Sequence, residues 1–318
     1  MSMALVFPGQ GSQAVGMGKR LAEEFAAART VFEEVDAALG EKLSATMWEG
    51  PGDKLTLTEN AQPALMAVSL AALRALEAEA GFDLTRDAAF VAGHSLGEYS
   101  ALAAAQCLTV ADAARLLRIR GRAMQKAVPV GVGAMAALVG TTLDRAKAVA
   151  AQVADTGVCA AANDNGGGQV VLSGAKSAVE RAVEIAKEQG VKRAMILPVS
   201  APFHCPLMQP ARTGMEPVLR ALKVGELKFG VIANVTAEVN RDPAHVVPLL
   251  LEQITAPVRW EESMGVVARS GITDAIEFGC GRVLMGMMRR MYRTIRVRPL
   301  EDLASLKAIS EPAGAAKT

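Results

Sequence analysis

The sequence predicts an α/β protein in two parts. A large α/β domain over residues 1–130 and 200–310 is interrupted by a small ferredoxin-like domain over residues 131–199. Three observations predict this. Short apolar runs of strand character alternate with long Ala- and Leu-rich helical stretches in the larger part. Within residues 133–200 the order becomes strand, helix, strand, strand, helix, strand. The run Gly93-His94-Ser95-Leu96-Gly97 follows the strand-like residues 88–92 and precedes the helical residues 98–107, the context of a nucleophile elbow.

Taken in order, residues 4–7 read as a strand ending in Pro8-Gly9-Gln10-Gly11-Ser12-Gln13, and a helix follows over about 21–39. Gly9 to Ala14 fits the G-x-G-x-x-A dinucleotide fingerprint. However, Glu33, Glu34 and Asp36 sit in a helical pattern and not at the end of a second strand, which disfavours nucleotide binding. The alternative use of such a loop is to present backbone N–H donors to a reacting oxygen, which an elbow serine needs from a second βα loop.

Residues 61–80, starting near Gln62-Pro63, read as a long helix, and residues 110–128 as another. At ~100° per residue, Arg115, Arg118, Arg122, Gln125 and Lys126 share one side of the second. Ala113, Leu116, Leu117, Met124 and Ala127 share the other, and Arg120 falls among them. A buried guanidinium keeps its proton, so it needs an anionic partner, either an internal acid or a substrate carboxylate.

In the small domain, residues 134–139, 158–162, 169–172 and 193–199 are the expected strands, and 143–154 and 178–189 the helices. Asn163 to Gly168 is expected to be a hairpin loop. Later strands are expected over 231–235, 275–278 and 295–297, and helices over 246–254, 261–269 and 283–291. The tail 311–318 reads as disordered.

The formal net charge of +1 argues against a nucleic-acid partner. No apolar run reaches the ~18 residues of a membrane span, and the first residues lack the basic region of a signal peptide. Cys107, Cys159, Cys205 and Cys280 show neither metal nor disulfide spacing, so no metal and a reducing, cytoplasmic location are expected.

An elbow serine needs a base. His94 lies inside the motif and should point away from the Ser95 hydroxyl. His245 begins an amphipathic helix and should be exposed. His204, in a turn-rich loop where the small domain hands back to the large one, is the best candidate. Spacing alone does not choose the group that orients it.

Several segments then stand in the order found in the malonyl-CoA:acyl carrier protein transacylases, which the chain resembles from about residue 3 to residue 300. They are Phe7 to Gln13, Gly93 to Tyr99, Arg118 to Arg122 with Met124-Gln125, and Phe203-His204-Cys205. Gln253 with Pro257 to Trp260, and Glu277 to Gly281, complete the set. Cys280 stands where the family more often has proline.

The resemblance implies a hydrolase-like large domain beside a ferredoxin-like one. It implies Ser95 as the acylated nucleophile, His204 as base, and the N–H groups of Gln10 and Leu96 as the oxyanion hole. Arg120 would bind the malonyl carboxylate, the Gln253 carbonyl would orient His204, and Gln62, His94, Met124 and Phe203 would line the pocket. The substrates would be malonyl-CoA and the phosphopantetheine thiol of an acyl carrier protein, with no cofactor, and the enzyme a monomer. A polyketide acyltransferase, a malonate decarboxylase subunit and a serine thioesterase share many of these features.

Overall fold

Parallel strands with no polar side to spare set up the first sheet. In the computed structural model, which describes residues 2–199 and 201–310, it has the order β11-β10-β1-β2-β7-β8. These are β1 (Met3–Phe7), β2 (Ala88–Gly93), β7 (Gly230–Ile232), β8 (Val239–Asn240), β10 (Asp274–Phe278) and β11 (Arg296–Leu300). All pairings are parallel except β7 with β8. Leu5 and Phe7 face one apolar cluster with helices Ala26–Leu39, Thr58–Ala80 and Val110–Ala127. Ala4 and Val6 face another with helices Trp260–Arg269 and Val283–Met291. Burial on both faces is what an all-apolar parallel strand requires. Phe7 pairs with Gly93 at the strand ends, so the loops after β1 and β2 emerge side by side at the carboxyl edge, where open α/β sheets bind ligands.

The second sheet has the order β6-β3-β5-β4-β9: β3 (Gly133–Val139), β4 (Cys159–Gly166), β5 (Gln169–Ala175), β6 (Arg193–Ile196) and β9 (Val258–Arg259). Its first four strands pair antiparallel, and β9 joins β4 in parallel. Strand alternation divides its faces. Ala134, Ala136 and Leu138 pack on helices Leu143–Ala151 and Lys176–Glu188, while Met135 and Val171 turn the other way, toward Phe203.

Several expectations are corrected. The helix expected over 21–39 is two, Lys19–Glu24 and Ala26–Leu39, because Phe25 is extended there and buries its ring. Strand β4 runs on through Asn163, Asp164 and Asn165, and only Gly167 and Gly168 form the hairpin turn, both at positive φ (59° and 79°) that suits glycine. Helix Gln209–Arg220 and strands β8 and β9 were not anticipated.

Arg118, grouped by periodicity with the polar side of its helix, is buried. Pro63 sits inside helix Thr58–Ala80 and has no N–H for the Glu59 carbonyl four residues back. Arg118 supplies that missing donor at 2.8 Å, and its other contacts are Asn60 and Glu41. Ser200 and the expected disordered tail 311–318 lie outside the described residues.

Candidate active site

The elbow depends on two glycines. A Cβ on Gly93 would lie 1.9 Å from the Gly97 carbonyl carbon, and a Cβ on Gly97 2.2 Å from the Phe7 carbonyl oxygen. Only bare backbone lets β2 turn into helix Gly97–Ala104 this closely. Ser95, between them, is held at φ 54°, a left-handed conformation that costs a serine free energy. Asn234, just past β7, fixes the turn from outside. Its Oδ1 accepts the Ser95 N–H at 2.8 Å and its Nδ2 donates to the Gly93 carbonyl at 2.7 Å.

Ser95 Oγ lies 2.7 Å from His204 Nε2, and His204 Nδ1 lies 2.8 Å from the Gln253 carbonyl oxygen. A carbonyl can only accept, so Nδ1 carries the proton and Nε2 is left free to take the serine hydrogen. Burial, and then the nearby Arg120 cation, push the His204 imidazole down to about 3, so it is neutral in the resting site. His94 turns its Nε2 to Asn165 Oδ1 at 2.9 Å, away from Ser95, and His245 is exposed, as expected of both. Among the described residues, the N–H groups of Gln10 and Leu96 meet no backbone or side-chain acceptor. The Gln10 side chain is anchored by Thr58, whose hydroxyl donates to its Oε1 at 3.0 Å.

Arg120 is 1% exposed, in agreement with its place on the apolar stripe. Nη1 donates to Gln62 Oε1 at 2.7 Å. Nη2 donates to Gln253 Oε1 at 2.9 Å and to Ser95 Oγ at 3.2 Å. The guanidinium carbon lies 5.6 Å from the Tyr99 ring centroid. Of the two partners the sequence allows, an internal acid is not in contact. No carboxylate among the described residues forms a salt bridge with Arg120. Its hydrogen bonds go to amide and hydroxyl oxygens, which accept without neutralising.

Behind this layer is a carboxyl group that sequence reasoning missed as part of the site. Glu98 is buried, and its Oε2 accepts Gln253 Nε2 at 2.7 Å and the Asn234 backbone N–H at 3.1 Å. Burial pushes the Glu98 carboxyl up to about 7, against the pull of Gln253, Asn234 and Arg120. Gln253 Nε2 also reaches the Ser95 carbonyl at 3.0 Å. The signal for Glu98 was its place directly after the motif. Asn234 had none beyond following a strand.

Ser95, His204 and Arg120 open on a cleft of about 440 Å³ between the two sheets. Gln10, Gln62, His94, Leu96, Met124 and Phe203 line it, with Met135, Ala137 and Val171 from the second sheet. Gln253 closes it from behind. A serine with a neutral histidine, two free N–H donors and a cation that no carboxylate touches can carry acyl transfer from an acidic acyl donor.

Known proteins resemble the chain in sequence and fold. A family model described as an acyl transferase domain matches residues 4–297. The malonyl CoA-acyl carrier protein transacylase of Bacillus subtilis is 45% identical over 301 residues, 94% of this chain and 93% of that protein. The crystal structure of an acyl-carrier-protein S-malonyltransferase from Bartonella henselae superposes with a TM-score of 0.95 at 51% identity, over 97% of this chain and 98% of that one. A malonyl-transacylase solved in complex with a type II PKS acyl-carrier protein superposes with a TM-score of 0.93 at 39% identity, covering 97% and 98% of the two chains. With likeness in both sequence and fold running almost end to end, the chain belongs to the malonyl CoA-acyl carrier protein transacylases of the acyl transferase family.

Proposed function

We propose that the protein moves a malonyl group from malonyl-CoA to the phosphopantetheine thiol of an acyl carrier protein, through malonyl-Ser95, for fatty acid synthesis. One observation carries this reading above others: the Ser95–His204 pair shares its cleft with a buried arginine that, among the described residues, no carboxylate touches. A thioesterase acting on neutral acyl chains has no use for that cation.

In the first half-reaction the malonyl carboxylate pairs with Arg120, and Ser95 Oγ attacks the thioester carbonyl as its proton passes to His204 Nε2. Pairing neutralises the cation that depresses His204, so the base strengthens as the acidic substrate arrives. The Gln253 carbonyl holds the imidazolium. The oxyanion takes the N–H groups of Gln10 and Leu96, each worth roughly 3 kcal/mol of barrier. His204 then returns the proton to the departing CoA sulfur. The carrier thiol reverses these steps. Nucleophile, base and donors all come from side chains and backbone, and the reading calls for no cofactor.

The second sheet is read as a ferredoxin-like unit over residues 131–199, inserted in a hydrolase-like large domain over 1–130 and 200–310. The order β6-β3-β5-β4, antiparallel throughout, supports it. The protein is read as a monomer, and four unpaired cysteines suit the cytoplasm. A polyketide carrier protein is the second reading, favoured by the relative solved with a type II PKS carrier. Intact mass after mixing with malonyl-CoA tests the reading. A malonyl adduct should form, be lost on adding carrier protein, and not form in Ser95→Ala.

A further inference from the structure

Arg120 and Glu98 are joined through one side chain. The Gln253 amide accepts from Arg120 Nη2 with its oxygen (2.9 Å) and donates to Glu98 Oε2 with its nitrogen (2.7 Å). Cation, amide and carboxyl stand in line, each dipole oriented to support the next. A buried guanidinium without a counter-charge is costly, and none touches Arg120 directly. We propose that Glu98 is the resting counter-charge of Arg120, acting through the Gln253 side chain, and that it takes up a proton when a dicarboxylic acyl donor brings its own carboxylate to Arg120.

Charge counting gives the reason. With Glu98 ionised, the resting buried site holds one cation and one anion. A bound malonyl group makes that one cation and two anions, and like charges in one buried site resist joint ionisation. The malonyl carboxylate meets the guanidinium directly and Glu98 only through an amide, so Glu98 yields. The proton comes from the buffer.

The groups that face Glu98 permit this. Among the described residues Arg120, from helix Val110–Ala127, is the one cation acting on it, and Tyr99 is a neutral phenol on its own helix, held protonated by burial. The two groups that hydrogen-bond Glu98, the Gln253 side chain and the Asn234 backbone N–H, are neutral amides. Burial pushes the resting carboxyl up to about 7, so a shift there falls in the range of ordinary buffers.

The inference rests on the malonyl-transfer reading. Its test is calorimetric titration of malonyl-CoA into the Ser95→Ala protein, which binds without turnover, in buffers of different ionisation enthalpy. The expected result is uptake of about half a proton per malonyl-CoA at pH 7, rising toward pH 8 and fading below pH 6. Acetyl-CoA should cause none. Adding Glu98→Gln should abolish the uptake, and adding His204→Ala should not. Should Glu98→Gln fail to fold, the pH profile still decides, because uptake by His204 would grow toward acid. No uptake, uptake that survives Glu98→Gln, or uptake that grows toward acid would overturn the assignment. Failure of malonyl-CoA to bind at all would instead overturn the transfer reading.

Discussion

Gln253 holds His204 with its main chain and Arg120 with its side chain: the carbonyl oxygen is 2.8 Å from His204 Nδ1, and Oε1 is 2.9 Å from Arg120 Nη2. Base and cation are therefore spaced by one residue, and substitution separates the two duties. Gln253→Leu keeps the carbonyl and removes the amide. It should lower malonyl kcat/KM roughly ten- to a hundredfold, the worth of a hydrogen bond to a charged group, and affect acetyl transfer less. Steady-state kinetics with the two thioesters decide it, and equal losses would contradict the division.

The elbow makes a prediction about stability. In Gly97→Ala the new methyl would lie 2.2 Å from the Phe7 carbonyl oxygen, in backbone that ties β1 to β2. We expect a destabilisation of about 3 kcal/mol or more, at the upper end for overpacking, read as a lower denaturation midpoint. Gly40→Ala should cost far less, since no atom lies within 4 Å of its Cβ position and only its φ of 66° opposes the change. Similar losses at both positions would refute close approach as the reason for Gly97.

These contrasts also indicate what was legible in the sequence. Ser95, the two glycines and the strand and helix around them are contiguous, so local pattern sufficed. Arg120 was legible because helical periodicity placed a charge on an apolar stripe. Asn234 and Gln253 act on Ser95 across 139 and 158 residues of chain, and only the fold brings them there. Arg118 was misplaced for a related reason: periodicity gives a helix's face but not a carbonyl left open by Pro63 on a neighbouring helix. Strand β9, two residues long, is too short to leave a pattern at all.

A fold that loses stability toward acid, and a base that stays neutral there, both follow from His204. Its folded value, about 3, lies below the ordinary 6.5. Between those values the unfolded chain binds more protons, so the contribution to stability is complete above about pH 6.5 and is lost as pH falls toward 3. The base should likewise stay neutral in the free enzyme, and kcat/KM for malonyl-CoA should show no acid limb near 6.5. A limb at that position, absent when a pH-independent step is measured, would mean that His204 is not depressed.

Phe203 sets acyl shape. It lines the cleft beside His204 and packs toward Met135 and Val171 of the second sheet. A branched α-carbon should meet it, so malonyl-CoA should be preferred over methylmalonyl-CoA by the ~1–3 kcal/mol that one methyl group commands. Phe203→Ser should narrow the preference mainly by raising the methylmalonyl rate. Unchanged selectivity in that variant would place the restriction elsewhere.

Arg120 carries the largest expected effect. It is buried, held by Gln62 and Gln253 through neutral oxygens, and within hydrogen-bond reach of Ser95 Oγ. Arg120→Ala should remove ~2–5 kcal/mol from malonyl transfer, by analogy with breaking a buried charge pair, or roughly 30- to several-thousand-fold in kcat/KM. Acetyl-CoA brings no carboxylate, so its transfer should change little, or rise as His204 regains basicity. Arg120→Lys should fall between, keeping the charge but losing the two-pronged donor. The rival role, a purely structural cation, leads elsewhere: truncation would strand the Gln62 and Gln253 oxygens, lower the melting temperature and slow both donors alike. Kinetics with malonyl-CoA and acetyl-CoA, with melts of both variants, separate the two. Equal loss for the two donors with a lowered melting temperature would remove Arg120 from substrate recognition and leave the preference for a dicarboxylic acyl group without a residue to carry it.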